Sequence, residues 1–270
     1  MTPPRKPRLS QHFLCHRPTA ARIADALGAP EGARVLEVGP GRGALTEHLL
    51  DRGWDVTAVE LDSTLAADLE SRWGDRPNFR VVRGDALEHA LEPGATWWVI
   101  GNLPYAITSP LLFHFLDPVE GAPVAAMVFM VQREVAERLA AAPGTKARGA
   151  LTVGVRLAAD VERLFDVPPG RFRPPPTVTS SVVRLTPIGR AGVDGPRRKR
   201  LRALVQGLFG QRRKQIQKSL RTLEPWGLSP AAVERVGREV ELDLGRRPET
   251  LSIEEWLALD GALADEVGEG

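Results

Sequence analysis

The stretch Val35-Leu36-Glu37-Val38-Gly39-Pro40-Gly41-Arg42-Gly43-Ala44 constrains this chain more than any other. A short apolar run passes through three glycines into a helical segment, Gly43 to Arg52. Such a turn lets the backbone approach a bound ligand closely, with helix N-terminal amides facing it, so a nucleotide-like ligand is expected here. The same punctuation recurs downstream. Asp55 to Glu60 reads as a second strand, and Leu65, Leu69 and Trp73 mark one face of a second helix. Further strands are predicted at Phe79 to Arg83, Trp97 to Ile100, Val124 to Val131, Val161 to Val167 and Ser181 to Leu185. A helix from about Ser109 follows the fourth strand, and a short helix marked by Ile23 and Leu27 precedes the first. This alternation predicts an α/β fold of the Rossmann-like kind, a twisted and mostly parallel sheet with helices on both faces.

The pattern changes at Pro187 to Pro196, a linker containing glycine and proline. Beyond it Leu201, Leu204, Val205 and Leu208 stand at helical spacing, Ile216, Leu220 and Leu223 continue it, and Ser252 with Glu255 forms a capping box ahead of Trp256. Two domains are therefore expected: residues 1–187, opening with a basic arm from Met1 to Ser10, and a small all-helical domain, 196–270. The net charge is only +2, yet from Arg197 to Leu223 there are ten Lys or Arg residues and no Asp or Glu. A basic block of this kind is either a solvated helix face or a nucleic-acid footprint. One cysteine, Cys15, excludes an intrachain disulfide framework, and the five histidines have no zinc-site spacing, so no metal is expected. No apolar run approaches the ~18 residues that cross a bilayer, and the N-terminus lacks the apolar core of a secretory signal. A cytoplasmic protein without membrane association is expected.

The acids near the strand ends narrow the ligand. Glu37 stands just before the glycines, where a carboxylate repels a pyrophosphate but suits the cationic methionine end of a sulfonium cofactor. Pro40 between the glycines is also poor for a loop whose amides must all face phosphates, which argues against a nicotinamide dinucleotide. Glu60 ends the second strand, where its acceptor-only oxygens can take both hydroxyls of a ribose diol. Asp85, in Gly84-Asp85-Ala86, ends the third, where it can accept from an adenine amino group.

Asn102-Leu103-Pro104-Tyr105 follows the fourth strand at the ligand-binding edge of such sheets. An exocyclic adenine nitrogen is a poor nucleophile because its lone pair is delocalised into the ring. The Asn102 amide oxygen and the carbonyl of Leu103 can accept its two hydrogens and favour pyramidal geometry as a new bond forms. Pro104 keeps the turn rigid, and Tyr105, the only tyrosine, offers a face on which an extruded base can stack. No acidic base is needed, since the amino proton becomes acidic once its nitrogen is methylated.

These segments make the chain resemble, over almost its whole length, the small-subunit ribosomal RNA adenine dimethyltransferases (the KsgA type), relatives of the erythromycin-resistance methylases. The matching residues are Gln11-His12-Phe13-Leu14, Glu37 to Gly41, Glu60-Leu61-Asp62, Gly84 to Ala86, Asn102 to Tyr105, Gln132 to Val135, Phe172 to Pro176 with Ser181 to Val183, and Gln211 to Lys214. The resemblance implies a class I methyltransferase sheet and S-adenosylmethionine as cofactor. It implies that His12, Leu14, Gly39, Glu60, Asp85 and Asn102 contact the cofactor and that Phe172 faces Tyr105 across the target base; Glu37 and Gly41 are expected to line the same site. It implies a small-subunit RNA or assembly intermediate as partner, two methyls placed on each of two adjacent adenines near the 3′ end, and action late in assembly. Arg197, Arg198, Lys199, Arg200, Arg212, Arg213, Lys214 and Lys218 are then the expected RNA contacts, and a monomer is expected. The chain departs from the family at His12, where Asn is usual, at Arg148, where an aromatic is common, and at Gln215, Gln217 and Lys218. The rival readings are a large-subunit methylase of the erythromycin-resistance type, a non-enzymatic assembly factor, and a DNA adenine or protein glutamine methyltransferase.

Overall fold

A computed structural model describes residues 12–103, 107–116, 122–189, 193 and 195–268. The chain divides into two compact units, Met1–Ala136 with Asp160–Pro187, and Glu137–Ala159 with Ile188–Gly270.

In the first unit the strands are β1 (Phe13–Leu14), β2 (Arg34–Val38), β3 (Asp55–Glu60), β4 (Phe79–Arg83), β5 (Trp97–Asn102), β6 (Val124–Gln132), β7 (Ala159–Val167), β8 (Phe172–Arg173) and β9 (Ser180–Pro187). Its helices are α1 (Arg17–Asp25), α2 (Thr46–Leu50), α3 (Ser63–Trp73) and α4 (Thr108–Leu116). Seven strands form one sheet in the order β4-β3-β2-β5-β6-β9-β7. The five from β4 to β6 are parallel, and β9 lies antiparallel to β6. From β2 the chain builds outward to β3 and β4, then returns to the other side of β2 for β5 and β6. That reversal is the switch point at which open sheets of this kind bind ligands, outside the carboxyl ends of their strands.

The burial follows from the residue pattern. After an exposed Arg34, the rest of β2 is buried without alternation, as in a parallel strand covered on both faces. Val35, Val56, Ala58, Ile100 and Val128 join one apolar cluster with Ile23 of α1, Leu49 of α2 and Leu69 and Trp73 of α3. Leu36, Val99 and Met127, one residue out of step, are also fully buried, so the opposite face is covered too. The helix starts are specified locally: Asp62 Oδ1 accepts from the backbone N–H groups of Thr64 at 2.8 Å and Leu65 at 3.2 Å.

The second unit is helical, with the end of α5 (Arg133–Leu139), then α6 (Ala150–Arg156), α7 (Gly195–Gly210), α8 (Ile216–Leu220), α9 (Pro230–Glu239) and α10 (Ile253–Val267). Leu201, Leu204, Val205 and Leu208 turn the buried stripe of α7 into the unit's core, as their spacing predicts. The capping box opens α10: Glu255 N–H donates to Ser252 Oγ at 3.1 Å and Ser252 N–H to Glu255 Oε2 at 2.7 Å. Residues 137–159 belong to this unit, whereas the order of elements in the sequence places them with the sheet. Val153 and Leu157 bury one side of α6 and its end in the helical core. The buried Arg148 donates to the carbonyls of Ala141 at 3.3 Å and Leu251 at 2.7 Å, tying the segment down. Among the described residues no helix is long and apolar enough to cross a membrane.

Candidate active site

The residues singled out in the first unit gather at the carboxyl ends of β4, β3, β2 and β5. At the end of β2, Gly39, Gly41 and Gly43 have φ of +64°, +59° and +78°, a region that side chains with a Cβ rarely enter. Next to it, β5 approaches β2 so closely that a Cβ on Gly101 would lie 2.5 Å from the Val38 carbonyl oxygen. A Cβ on Gly41 would meet the Phe13 ring at 3.0 Å and one on Gly43 the Trp73 ring at 2.4 Å, while the space beside Gly39 is open.

Glu60, at the end of β3, is buried and holds that loop. Its Oε2 accepts from the Gly41 N–H and its Oε1 from the Asp62 N–H, each at 2.9 Å. A carboxylate has about four acceptor positions, so two remain for a ligand's hydroxyls. Asp85, just past β4, is half-buried and uses Oδ1 to accept from the Leu87 N–H at 2.9 Å. Glu37 is 1% exposed and its Oε2 accepts from the Thr46 hydroxyl at 2.7 Å. Burial pushes its pKa from the ordinary 4.5 up to about 8; the Thr46 hydrogen bond opposes this and the charge of Glu60 adds to it. A cation brought beside Glu37 would draw its proton off, as suits the ammonium end of an amino acid.

Asn102 ends β5, and its Nδ2 donates to the backbone carbonyl of His12 at 3.2 Å. A carbonyl can only accept, so this contact fixes the amide's orientation and leaves Oδ1 as the acceptor on the other side. His12 is held in turn by a hydrogen bond between its Nδ1 and the Pro174 carbonyl at 2.9 Å, which requires the proton on Nδ1. The adjoining Leu103 is buried and donates its N–H to the Met130 carbonyl at 3.1 Å. Pro104 and Tyr105 lie outside the described residues.

The His12 segment arrives through a feature the periodicity does not reveal. Strands β1 and β8 pair antiparallel, with Leu14 opposite Phe172 and Phe13 opposite Arg173. Two-residue strands so far apart in the chain carry no repeating pattern to read. Phe172, expected to offer a ring face to a base, is 2% exposed and packs in the sheet unit's apolar cluster, so its face is covered in this structure. Thr46, the partner of Glu37, is not foreseen from sequence either, since a threonine at the start of a helix carries no distinctive signal.

The basic block of the second unit divides in two. Arg197 Nε bonds Asp260 Oδ2 and Arg200 Nε bonds Asp260 Oδ1, both at 2.9 Å, and Asp260 is buried on α10. These two arginines, expected to meet RNA, neutralise a buried carboxylate, whose desolvation without them would be costly. Arg212 lies 3.6 Å from Glu249 and donates to the Lys146 carbonyl at 2.9 Å, and Arg198 donates to the Val193 carbonyl at 3.3 Å. Lys199, Arg213, Lys214 and Lys218 are exposed.

The family described as ribosomal RNA adenine dimethylase matches residues 4–259. "Ribosomal RNA small subunit methyltransferase A" of Geobacter metallireducens is 41% identical over 261 residues, covering 94% of each chain. The protein of the same name from Pseudomonas aeruginosa is 41% identical over 263 residues, covering 96% of this chain and 94% of its own. Among solved structures, a dimethyladenosine transferase from Plasmodium falciparum aligns with a TM-score of 0.77 at 25% identity, covering 92% of this chain and 96% of its own. The 23S rRNA methyltransferase ErmE aligns at 0.71 with 30% identity, covering 93% and 99%. With a family match along nearly the whole chain and an acid-lined glycine loop beside an oriented asparagine, the chain belongs to the ribosomal RNA adenine dimethylase family.

Proposed function

We propose that this protein uses S-adenosylmethionine to dimethylate the exocyclic amino groups of two adjacent adenines near the 3′ end of small-subunit ribosomal RNA. The substrate is a small subunit or an assembly intermediate, and the enzyme acts as a cytoplasmic monomer late in assembly. The observation that carries this reading is the orientation of Asn102, whose Nδ2 is occupied by the His12 carbonyl so that Oδ1 is presented as an acceptor.

When bound, the cofactor supplies an electrophilic methyl on a sulfonium. The residues that would hold it are Gly39 and Gly41 by close backbone approach, Glu60 through its ribose diol, Asp85 through its adenine amino group, and Glu37 through the charge of its methionine end. His12 and Leu14 border the same site. Toward the target base, Asn102 Oδ1 accepts one amino hydrogen and the Leu103 carbonyl the other. Both bonds strengthen as the nitrogen pyramidalises, so they favour the transition state over the planar ground state. The departing proton leaves to water. Tyr105 stacks on the base, and Phe172 joins it only after its ring is uncovered. Lys199, Arg213, Lys214 and Lys218 bind phosphates, with Arg198 and Arg212 beside them; Arg197 and Arg200 are left out because Asp260 holds them.

The likeness to ErmE favours one alternative, methylation of a large-subunit adenine. Incubation with labelled cofactor and unmethylated small subunits, large subunits or DNA separates the readings. Label confined to adjacent adenines of the small subunit supports the proposal, and label in the large subunit replaces it with the alternative.

A further inference from the structure

Phe13 and Arg173 stand opposite one another in the antiparallel pair β1–β8. Directly opposed residues of such a pair project from the same face, with Cβ atoms about 5 Å apart. Leu14 and Phe172, one step along, project from the other face and are buried. Phe13 lies over the glycine loop, where a Cβ on Gly41 would come within 3.0 Å of its ring. From that loop the Arg42 guanidinium reaches over the same ring, 4.6 Å from its centroid. Two arginines and an aromatic ring therefore share one face.

Both arginines are exposed, and among the described residues neither has an ion-pair partner. Their neighbours differ: Arg17 lies 3.1 Å from Glu47, Arg72 lies 3.6 Å from Asp68, and Arg52 is bonded to Asp25. Uncompensated guanidinium groups beside a flat ring match the chemistry of single-stranded nucleic acid, which offers phosphates for the forks and bases for the ring. The patch is also bonded to the site of Asn102. The residue before Phe13 is His12, whose carbonyl orients the Asn102 amide, and the residue after Arg173 is Pro174, whose carbonyl holds the His12 ring.

We propose that Arg42, Phe13 and Arg173 form a second RNA-binding surface, built into the sheet unit itself, that grips the backbone flanking the target adenine. It rests on the RNA-methylating reading above. The basic helices would then supply general affinity, and this patch would set which nucleotide reaches Asn102.

The test uses the full-length protein and a labelled RNA hairpin carrying two adjacent adenines in its loop. Affinity is measured across a salt series for wild type, for Arg42→Ala with Arg173→Ala, and for Arg42→Lys with Arg173→Lys. Each phosphate no longer neutralised lowers the slope of log affinity against log salt by about 0.7–0.9. The alanine pair is expected to bind about tenfold more weakly, with a slope smaller by about 1.4–1.8, while the lysine pair keeps the wild-type slope because its charges remain. S-adenosylmethionine affinity without RNA should stay at the wild-type value in both. An unchanged slope in the alanine pair overturns the proposal, and so does a parallel drop in cofactor affinity, which would give the arginines to the cofactor site. Failure of the wild type itself to bind the RNA would overturn the underlying reading instead.

Discussion

The Asn102 side chain donates Nδ2–H to the backbone carbonyl of His12 at 3.2 Å, a bond that spans 90 positions of sequence and decides which end of the amide faces the site. Asn102→Ala removes the acceptor and is expected to lower kcat by about 10²–10³-fold, in line with the removal of one preorganised transition-state hydrogen bond. Asn102→Asp should be equally damaging, because a carboxylate cannot donate to His12. Single-turnover transfer assays check both. An aspartate variant with near wild-type rate would mean that the His12 carbonyl is not what orients the acceptor.

Glu37 makes stability depend on pH. Its pKa is raised from 4.5 to about 8 in the folded protein, so between these values the folded state keeps a proton that the unfolded chain releases. Stability is therefore expected to fall as pH rises from about 5 to 8, by about 1.4 kcal/mol for each unit of displacement that the fold sustains. Glu37→Gln keeps the shape, abolishes the titration and should flatten this part of the profile. Urea unfolding of both proteins across that range is the measurement, and parallel profiles would contradict the role of Glu37.

Asp260 is the buried acceptor for Arg197 and Arg200. Asp260→Asn is expected to cost about 2–4 kcal/mol of stability, below the top of the range for breaking a buried pair because both arginines retain some access to water. Arg200→Ala should likewise lower the urea midpoint while leaving the salt slope of RNA binding unchanged. A reduced slope with full stability would return Arg200 to the RNA-binding set.

Arg213, Lys214 and Lys218 are exposed on the helical unit. Replacing all three with Ala should weaken RNA binding and flatten its salt dependence by roughly 0.7–0.9 for each phosphate that these side chains neutralise, with cofactor affinity intact. A filter-binding salt series detects the change, and an unaltered slope would make this block a solvated surface.

The strands and the apolar stripe of α7 are legible in the sequence because burial on both faces and a helical repeat impose patterns within a few residues of one another. The glycine loop and the acids at the ends of β3 and β4 are legible for the same local reason. What escapes is non-local. The β1–β8 pair joins two-residue segments far apart in the chain, and His12, next to β1, meets Asn102 across 90 positions of sequence. The division of the basic block escapes too, because Asp260 lies some 60 positions from the arginines it binds. The order of elements groups the α6 segment with the sheet because it sits between two strands, while Val153, Leu157 and Arg148 commit it to the helical core.

In the proposed mechanism Asn102 serves transfer to adjacent adenines of the small subunit. The most direct measurement incubates wild type and Asn102→Ala with methyl-labelled S-adenosylmethionine and unmethylated small subunits, then maps the label by nucleotide. Two methyls on each of two adjacent adenines near the 3′ end with wild type, and almost none with the variant, is the predicted result. Label of equal strength from the variant, or wild-type label found only in large subunits, would contradict it.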